Sequence, residues 1–175
     1  MSGGSLQADI DAVLSREALY DLTVAYARGV DRCDLPLLQS IWHPDATVEF
    51  GIFDGGADAF CRFLYDMLLP TKVSFHSITN QWFELHGDRA VGEGYIIGLG
   101  SMQIDARGPY GLTGGRYLDC YERRDGVWKI AHRTFVLDWN INKDTSDAPV
   151  PAATAGIKLR GGRAPTDPIY TAWNA

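Results

Sequence analysis

GRYLDCYERRDGVWKIAHR, residues 115–133, is the stretch whose reading decides the fold. Asp125 and Gly126 interrupt two runs of alternating side chains. An Asp-Gly pair suits the centre of a two-residue β-hairpin, because both positions there take positive φ. Upstream, residues 73–85, 90–103 and 112–123 are β-rich, and 127–140 follows the turn. The breaks HGDR (86–89) and DARGP (105–109) carry turn chemistry of their own. Four consecutive strands with short connections are therefore predicted to pair antiparallel.

The half of the chain before residue 70 has a different period. Ile10, Val13, Leu14, Leu19, Leu22 and Tyr26 recur at spacings of three to five, which predicts a helix over residues 6–30 with one apolar stripe. DRCD (31–34) breaks it. Asp34 can cap a second short helix whose first turn holds Pro36, with Leu37, Leu38, Ile41 and Trp42 as its buried face. HPD (43–45) ends that helix, since a residue before proline is pushed from helical angles. Residues 47–50 read as a short strand, Gly55 and Gly56 as a turn, and 57–69 as a helix through Phe60, Phe63, Leu64, Met67 and Leu68, stopped by Pro70. Helices followed by strands predict an α+β fold: a cone-shaped barrel made by a strongly curved antiparallel sheet packed on N-terminal helices. Gly92, Gly94, Gly98 and Gly100 let one strand bend sharply. The inside of such a cone is apolar and suits a small ligand.

Composition narrows the function. The 175 residues carry a net charge of −6 with basic residues scattered, which argues against nucleic acid or an anionic membrane as partner. No run approaches the roughly 20 apolar residues that span a bilayer. The opening MSGGS has neither a basic nor an apolar leader region, so a cytoplasmic location is expected. Residues 1–140 are expected to form one domain. Residues 141–175 make a polar tail, read either as disordered or as docking Ile169, Tyr170 and Trp173 on the pocket or on a second subunit.

Motif search removes several chemistries. Cys33, Cys61 and Cys120 lack CxxC spacing and read as reduced, packed thiols. His43 and His86 fall in turns, and His132 faces the opposite side of its strand from Arg133. None has HxxxH or HExxH spacing, so neither a metal nor a cofactor is expected. GLTGG (111–115) is followed by no helix, GEG (92–94) lacks a dinucleotide fingerprint's setting, and no GxSxG is present.

YARGVDRCD (26–34), IWHPDA (41–46), FHS (75–77) and the hairpin at 115–133 together resemble the SnoaL-like families, over residues 8–140. These share the nuclear transport factor 2-like fold and include polyketide cyclases, scytalone dehydratase, a bile acid 7α-dehydratase and a hexachlorocyclohexane dehydrochlorinase. In the dehydratase and dehydrochlorinase branch, a helix-end Asp and a strand His form a catalytic dyad, which the resemblance maps to Asp31 and His76. It maps a third group to Tyr26 and a late-strand basic residue to Arg133. Without the resemblance, Asp31 reads as a turn residue, His76 as a hydrogen-bonded strand histidine and Tyr26 as core. Arg133 reads as an ion-pair partner of Asp138, Asp119 or Glu93.

The chemistry fits the residue types. Histidine, with an unperturbed pKa of about 6.5, is an economical base near neutral pH. A buried carboxylate beside it fixes its tautomer, and a Tyr hydroxyl or an Arg can stabilise a developing oxyanion. The expected function is cofactor-independent lyase or isomerase chemistry, dehydratase- or cyclase-like, on a small hydrophobic cyclic substrate such as a steroid or polyketide. Trp42, Phe50, Phe53, Phe60, Phe75 and Trp139 are the candidate pocket walls. Two other readings stay open: a non-catalytic ligand-binding or assembly protein of the same cone, and a limonene-type epoxide hydrolase. The latter requires Asp31 or Asp119 to meet Arg133 without His76. A homodimer or homotrimer is expected.

Overall fold

The computed structural model describes residues 5–101, 110–143 and 163–165. Three helices, α1 (Leu6–Arg32), α2 (Leu35–Ser40) and α3 (Ala57–Leu68), accompany six strands. The strands are β1 (Trp42–Glu49), β2 (Asp54–Gly56), β3 (Val73–His86), β4 (Arg89–Ser101), β5 (Tyr110–Arg124) and β6 (Val127–Lys143). They form one sheet in the order β2-β1-β6-β5-β4-β3. The DARGP segment and the large apolar tail residues Ile169, Tyr170 and Trp173 lie outside the described residues.

The decisive hairpin forms as predicted. Asp125 has φ 52° and Gly126 φ 81°, the left-handed pair of a type I′ turn, and Arg124 sits opposite Val127. The pairs β3–β4, β4–β5 and β5–β6 are antiparallel, with irregularities at Ile78/Gln81, Gly114/Gly115 and Cys120/Tyr121. Such bulges raise local twist and curl the sheet around the helices. The α+β cone is therefore the observed architecture. One pair departs from the antiparallel expectation: β1 runs parallel to β6, because β1 enters the sheet from the helices beside the last strand.

Three local predictions are corrected. α2 stops at Ser40, whose Oγ donates to the Leu37 carbonyl, and Trp42 opens β1 opposite Ile130. Ile41 and Trp42 are buried as expected, but as the entry to a strand. His43, expected in a turn, is a buried strand residue whose Nε2 lies 2.9 Å from the Glu122 carbonyl oxygen. Gly55 and Gly56 belong to the short edge strand β2 rather than to a turn.

The long helix also differs from its predicted stripe. Ser5 caps it at the N terminus. Leu19, Tyr26 and Val30 are buried, whereas Ile10, Val13 and Leu14 are exposed. Burial begins only at Ser15, so the first turns of α1 carry an apolar face that the rest of the described chain leaves uncovered. Inside the cone, Tyr26, Trp42, Phe60 and Tyr117 stack edge-on, with centroids 5.2 to 6.3 Å apart.

Candidate active site

Asp31 occupies the last turn of α1, which Cys33 closes in the left-handed conformation at φ 47°. That closure holds a buried carboxylate against β3. Strand alternation then sorts β3: Ser74 and His76 turn towards Asp31, while Phe75 turns outward and is 58% exposed. Ser74 Oγ donates to Asp31 Oδ1 at 3.1 Å, and the His76 backbone N–H donates to Oδ2 at 2.9 Å. His76 Nδ1 lies 2.6 Å from Oδ1.

This network assigns the tautomer. A carboxylate oxygen that also receives Ser74 is the acceptor here, so Nδ1 carries a hydrogen, and in the neutral ring the lone pair then lies on Nε2. Nε2 lies over Gly98, the β4 residue paired with His76, where an added Cβ would come within 3.3 Å of it. Glycine at this position gives the imidazole room.

His76 and Ser74 line a cavity of about 480 Å³. Its walls are chiefly Phe50, Ile52, Leu68, Ile96, Leu99, Phe135 and Leu137, with Thr113, Tyr117 and Asn140 as further polar groups. Among the described residues no Asp, Glu, Lys or Arg lines it, and these walls suit an uncharged, largely apolar molecule.

Behind the Tyr117 wall lies a second polar unit. Arg133, fully buried, pairs directly across the strands with Asp119: Nε donates to Oδ1 and Nη2 to Oδ2, both at 2.7 Å. Tyr121 donates to Oδ2 of the same carboxylate at 2.8 Å. The guanidinium lies against the rings of both Tyr26 and Tyr117, at 4.1 and 4.0 Å from their centroids. Burial alone would favour its neutral form, but the Asp119 charge and hydrogen bonds raise its pKa and keep it cationic. Among the described residues its Nη1 has no hydrogen-bond partner. Burial also raises Tyr26 to about 12, against the opposing pull of Arg133, and holds Tyr117 well above the ordinary tyrosine value.

A helix-end Asp thus meets a strand His at the wall of an apolar cone. The SnoaL-like domain family matches residues 11–134, most of the chain and every dyad element. The chain belongs to the SnoaL-like family. It is 34% identical to hexachlorocyclohexane dehydrochlorinase 1 of Sphingobium indicum over 131 residues, 71% of this chain and 82% of that protein. It is 32% identical to the gamma-hexachlorocyclohexane dehydrochlorinase of the same species over 133 residues, 72% and 82% of the two chains. A crystal structure of a type 2 hexachlorocyclohexane dehydrochlorinase superposes with a TM-score of 0.72 at 28% identity, covering 82% of this chain and 99% of that one. The structure of a scytalone dehydratase-like protein from Novosphingobium aromaticivorans shares the fold, with a TM-score of 0.67 at 17% identity over 81% of this chain and 95% of that one. The curated relatives are thus lyases of the SnoaL-like, nuclear transport factor 2-like group.

In this SnoaL-like chain, the residues singled out from sequence fall into three places. Asp31 and His76 meet. Tyr26 and Arg133 meet each other, in the core behind the Tyr117 wall rather than on the cavity surface. Of the aromatic candidates, Phe50 lines the cavity, and Phe53 packs on Phe60 behind it. Trp42 and Phe60 are core, and Phe75 and Trp139 are largely exposed. Glu93 and Asp138, named as possible partners of Arg133, are engaged by Arg116.

Sequence reasoning passed over Ser74, Thr113, Tyr117 and Asn140. Tyr117 carried a readable signal, since it shares the inward parity of Asp119 and Tyr121 in β5. Among the described residues, no three His, Cys, Asp or Glu side chains converge as metal ligands. Burial pushes the Cys61 thiol up to about 12, which disfavours the thiolate a nucleophile needs.

Proposed function

We propose that this SnoaL-like protein is a cofactor-independent lyase that eliminates HX or water from an uncharged hydrophobic ring, with His76 as base and Asp31 as its anchor. One observation carries the reading: Asp31 takes the Nδ1 side of His76 at 2.6 Å, and among the described residues Nε2 has no hydrogen-bond partner in a ring that lines an apolar cavity. In the proposed step, Nε2 accepts a proton from ring carbon. The C–H electron pair becomes the second bond of a C=C, and the adjacent C–X bond breaks, releasing X with its pair. Asp31 stabilises the imidazolium that forms, and solvent removes the proton afterwards. A positioned base of this kind contributes about 10²–10⁴-fold. The names of the relatives favour elimination over isomerisation or cyclisation.

Tyr117, with burial keeping its hydroxyl protonated, is the proposed hydrogen-bond donor to the departing atom. The limonene-type alternative is supported less well. Asp119 does meet Arg133, but neither lines the cavity, and Asp31 is already engaged by His76. The outward Phe75, Trp82, Tyr95 and Ile97 are exposed apolar groups on one sheet face, which supports a homodimer or homotrimer, measurable by sedimentation.

The test uses two probes: γ-hexachlorocyclohexane with chloride release, and a β-hydroxy cyclic ketone with enone absorbance. Turnover of either, lost in His76→Gln, is the expected result. No turnover of both, or turnover that survives His76→Gln, overturns the reading.

A further inference from the structure

Arg163 lies far outside the matched family segment, yet its guanidinium sits against the helix end that carries Asp31. Nη1 donates to the Asp31 carbonyl at 2.5 Å and approaches that of Val30 at 3.4 Å. Nη2 reaches the Leu68 carbonyl at 3.0 Å, the Thr71 carbonyl at 3.3 Å and Thr71 Oγ1 at 2.5 Å. The next residue extends the contact, with the Ala164 N–H donating to the Arg32 carbonyl at 2.6 Å.

The four last carbonyls of a helix have no partner within it. Cys33 and Asp34 donate back to Val30 and Gly29, so the Asp31 and Arg32 carbonyls are those that residues 163 and 164 take. Leu68 ends α3, and a cation placed between two helix C termini meets the negative end of both dipoles. Only a planar fork with several donors can bond both ends at once. The two sides it joins are not arbitrary. One is the backbone of Asp31 itself. The other is Thr71, three residues before Ser74 and five before His76, with Leu68 on the cavity wall.

We propose that Arg163 is a positioning residue that clamps the end of α1 to the approach of β3 and so holds the Asp31 carboxylate on His76. The inference rests on the reading of that pair as the proton-transfer unit. Arg163 and Ala164 are, on this view, part of the site's framework although neither lines the cavity.

The test reads the pair directly, on the full chain, without any substrate. The Nδ1–H resonance of His76 is assigned by nitrogen-15 NMR, with Asp31→Asn as the variant that removes it. In Arg163→Ala its exchange with water is expected to rise about tenfold, the factor that loss of one net hydrogen bond implies. Arg163→Lys should recover part of that protection. With γ-hexachlorocyclohexane as probe, kcat is expected to fall while KM stays within twofold, about the split expected when substrate contacts are untouched. Should Arg163→Ala not fold, Arg163→Lys and Thr71→Val are read in the same exchange measurement. Wild-type exchange in the folded variants overturns the clamp. That result is independent of turnover, so a protein inert to both probes but with faster Nδ1–H exchange in Arg163→Ala would sink the proposed reaction and leave the clamp standing.

Discussion

Asp31 holds His76 at two points, accepting the backbone N–H through Oδ2 at 2.9 Å and facing Nδ1 through Oδ1 at 2.6 Å. A carboxylate bonded to both the main chain and the ring of one histidine fixes where that residue sits and how its imidazole turns. Ser74, bonded to Oδ1 at 3.1 Å, limits rotation of the carboxylate as well. The pair is thus preorganised before any substrate arrives.

Replacing either member should separate catalysis from folding. Asp31→Asn keeps the shape but removes the charge and leaves one acceptor oxygen where the main chain and the ring each use one, and His76→Gln removes the proposed base. Each is expected to lower kcat/KM on γ-hexachlorocyclohexane by about 10²–10⁴-fold. Chloride release measures the first effect, and far-ultraviolet circular dichroism checks that the fold remains.

Gly98→Ala addresses the free nitrogen. The added methyl would stand 3.3 Å from Nε2 and press the imidazole off its position or shield its lone pair. Alanine in a strand costs nothing by propensity, so stability should change by less than about 1 kcal/mol. Turnover is expected to fall at least about tenfold, as small misplacements of a reacting group do. Wild-type kcat in this variant would count against Nε2 as the base.

The strands, the hairpin and the α+β order were readable because period two and Asp-Gly turn chemistry are local properties. The dyad was not local: Asp31 and His76 are 45 residues apart, and only resemblance joined them before the fold did. Parity could have corrected Phe75, since it neighbours an inward His76 and must face out. Trp42 was harder. Six helical residues followed by a bulged strand with Pro44 leave too short a run to tell a period of 3.6 from one of 2. The long helix misled in another way, because an amphipathic stripe says which side can be buried and not how far the sheet reaches along it.

The Arg133–Asp119 pair predicts an asymmetry in stability. Asp119→Asn leaves a buried guanidinium without its counter-charge and should destabilise by about 3–5 kcal/mol. Arg133→Met with Asp119→Leu removes both charges and should recover much of that loss, with Tyr121 losing its acceptor. Urea unfolding of the two variants compares them directly. Equal losses would mean that the charge imbalance is not what the single change exposes.

Alkaline pH should unfold the chain through its buried tyrosines. Burial raises Tyr26 from 10.0 to about 12, and Tyr117 and Tyr121 are raised well above the ordinary value, chiefly by burial as well. A phenol whose folded pKa exceeds its unfolded value binds its proton more tightly in the native state. The resulting stability is fully present below about pH 10 and is lost as pH rises towards 12, because only the unfolded chain has then ionised. For Tyr26 alone the shift corresponds to roughly 3 kcal/mol. Tyr26→Phe cannot ionise, so its unfolding free energy, though lower at neutral pH if the hydroxyl's bonds are missed, should fall less steeply across that window. Urea midpoints at pH 8 and pH 11 measure the difference in slope. Parallel losses in the two proteins would assign the alkaline transition to Tyr117, Tyr121 or other groups rather than to Tyr26.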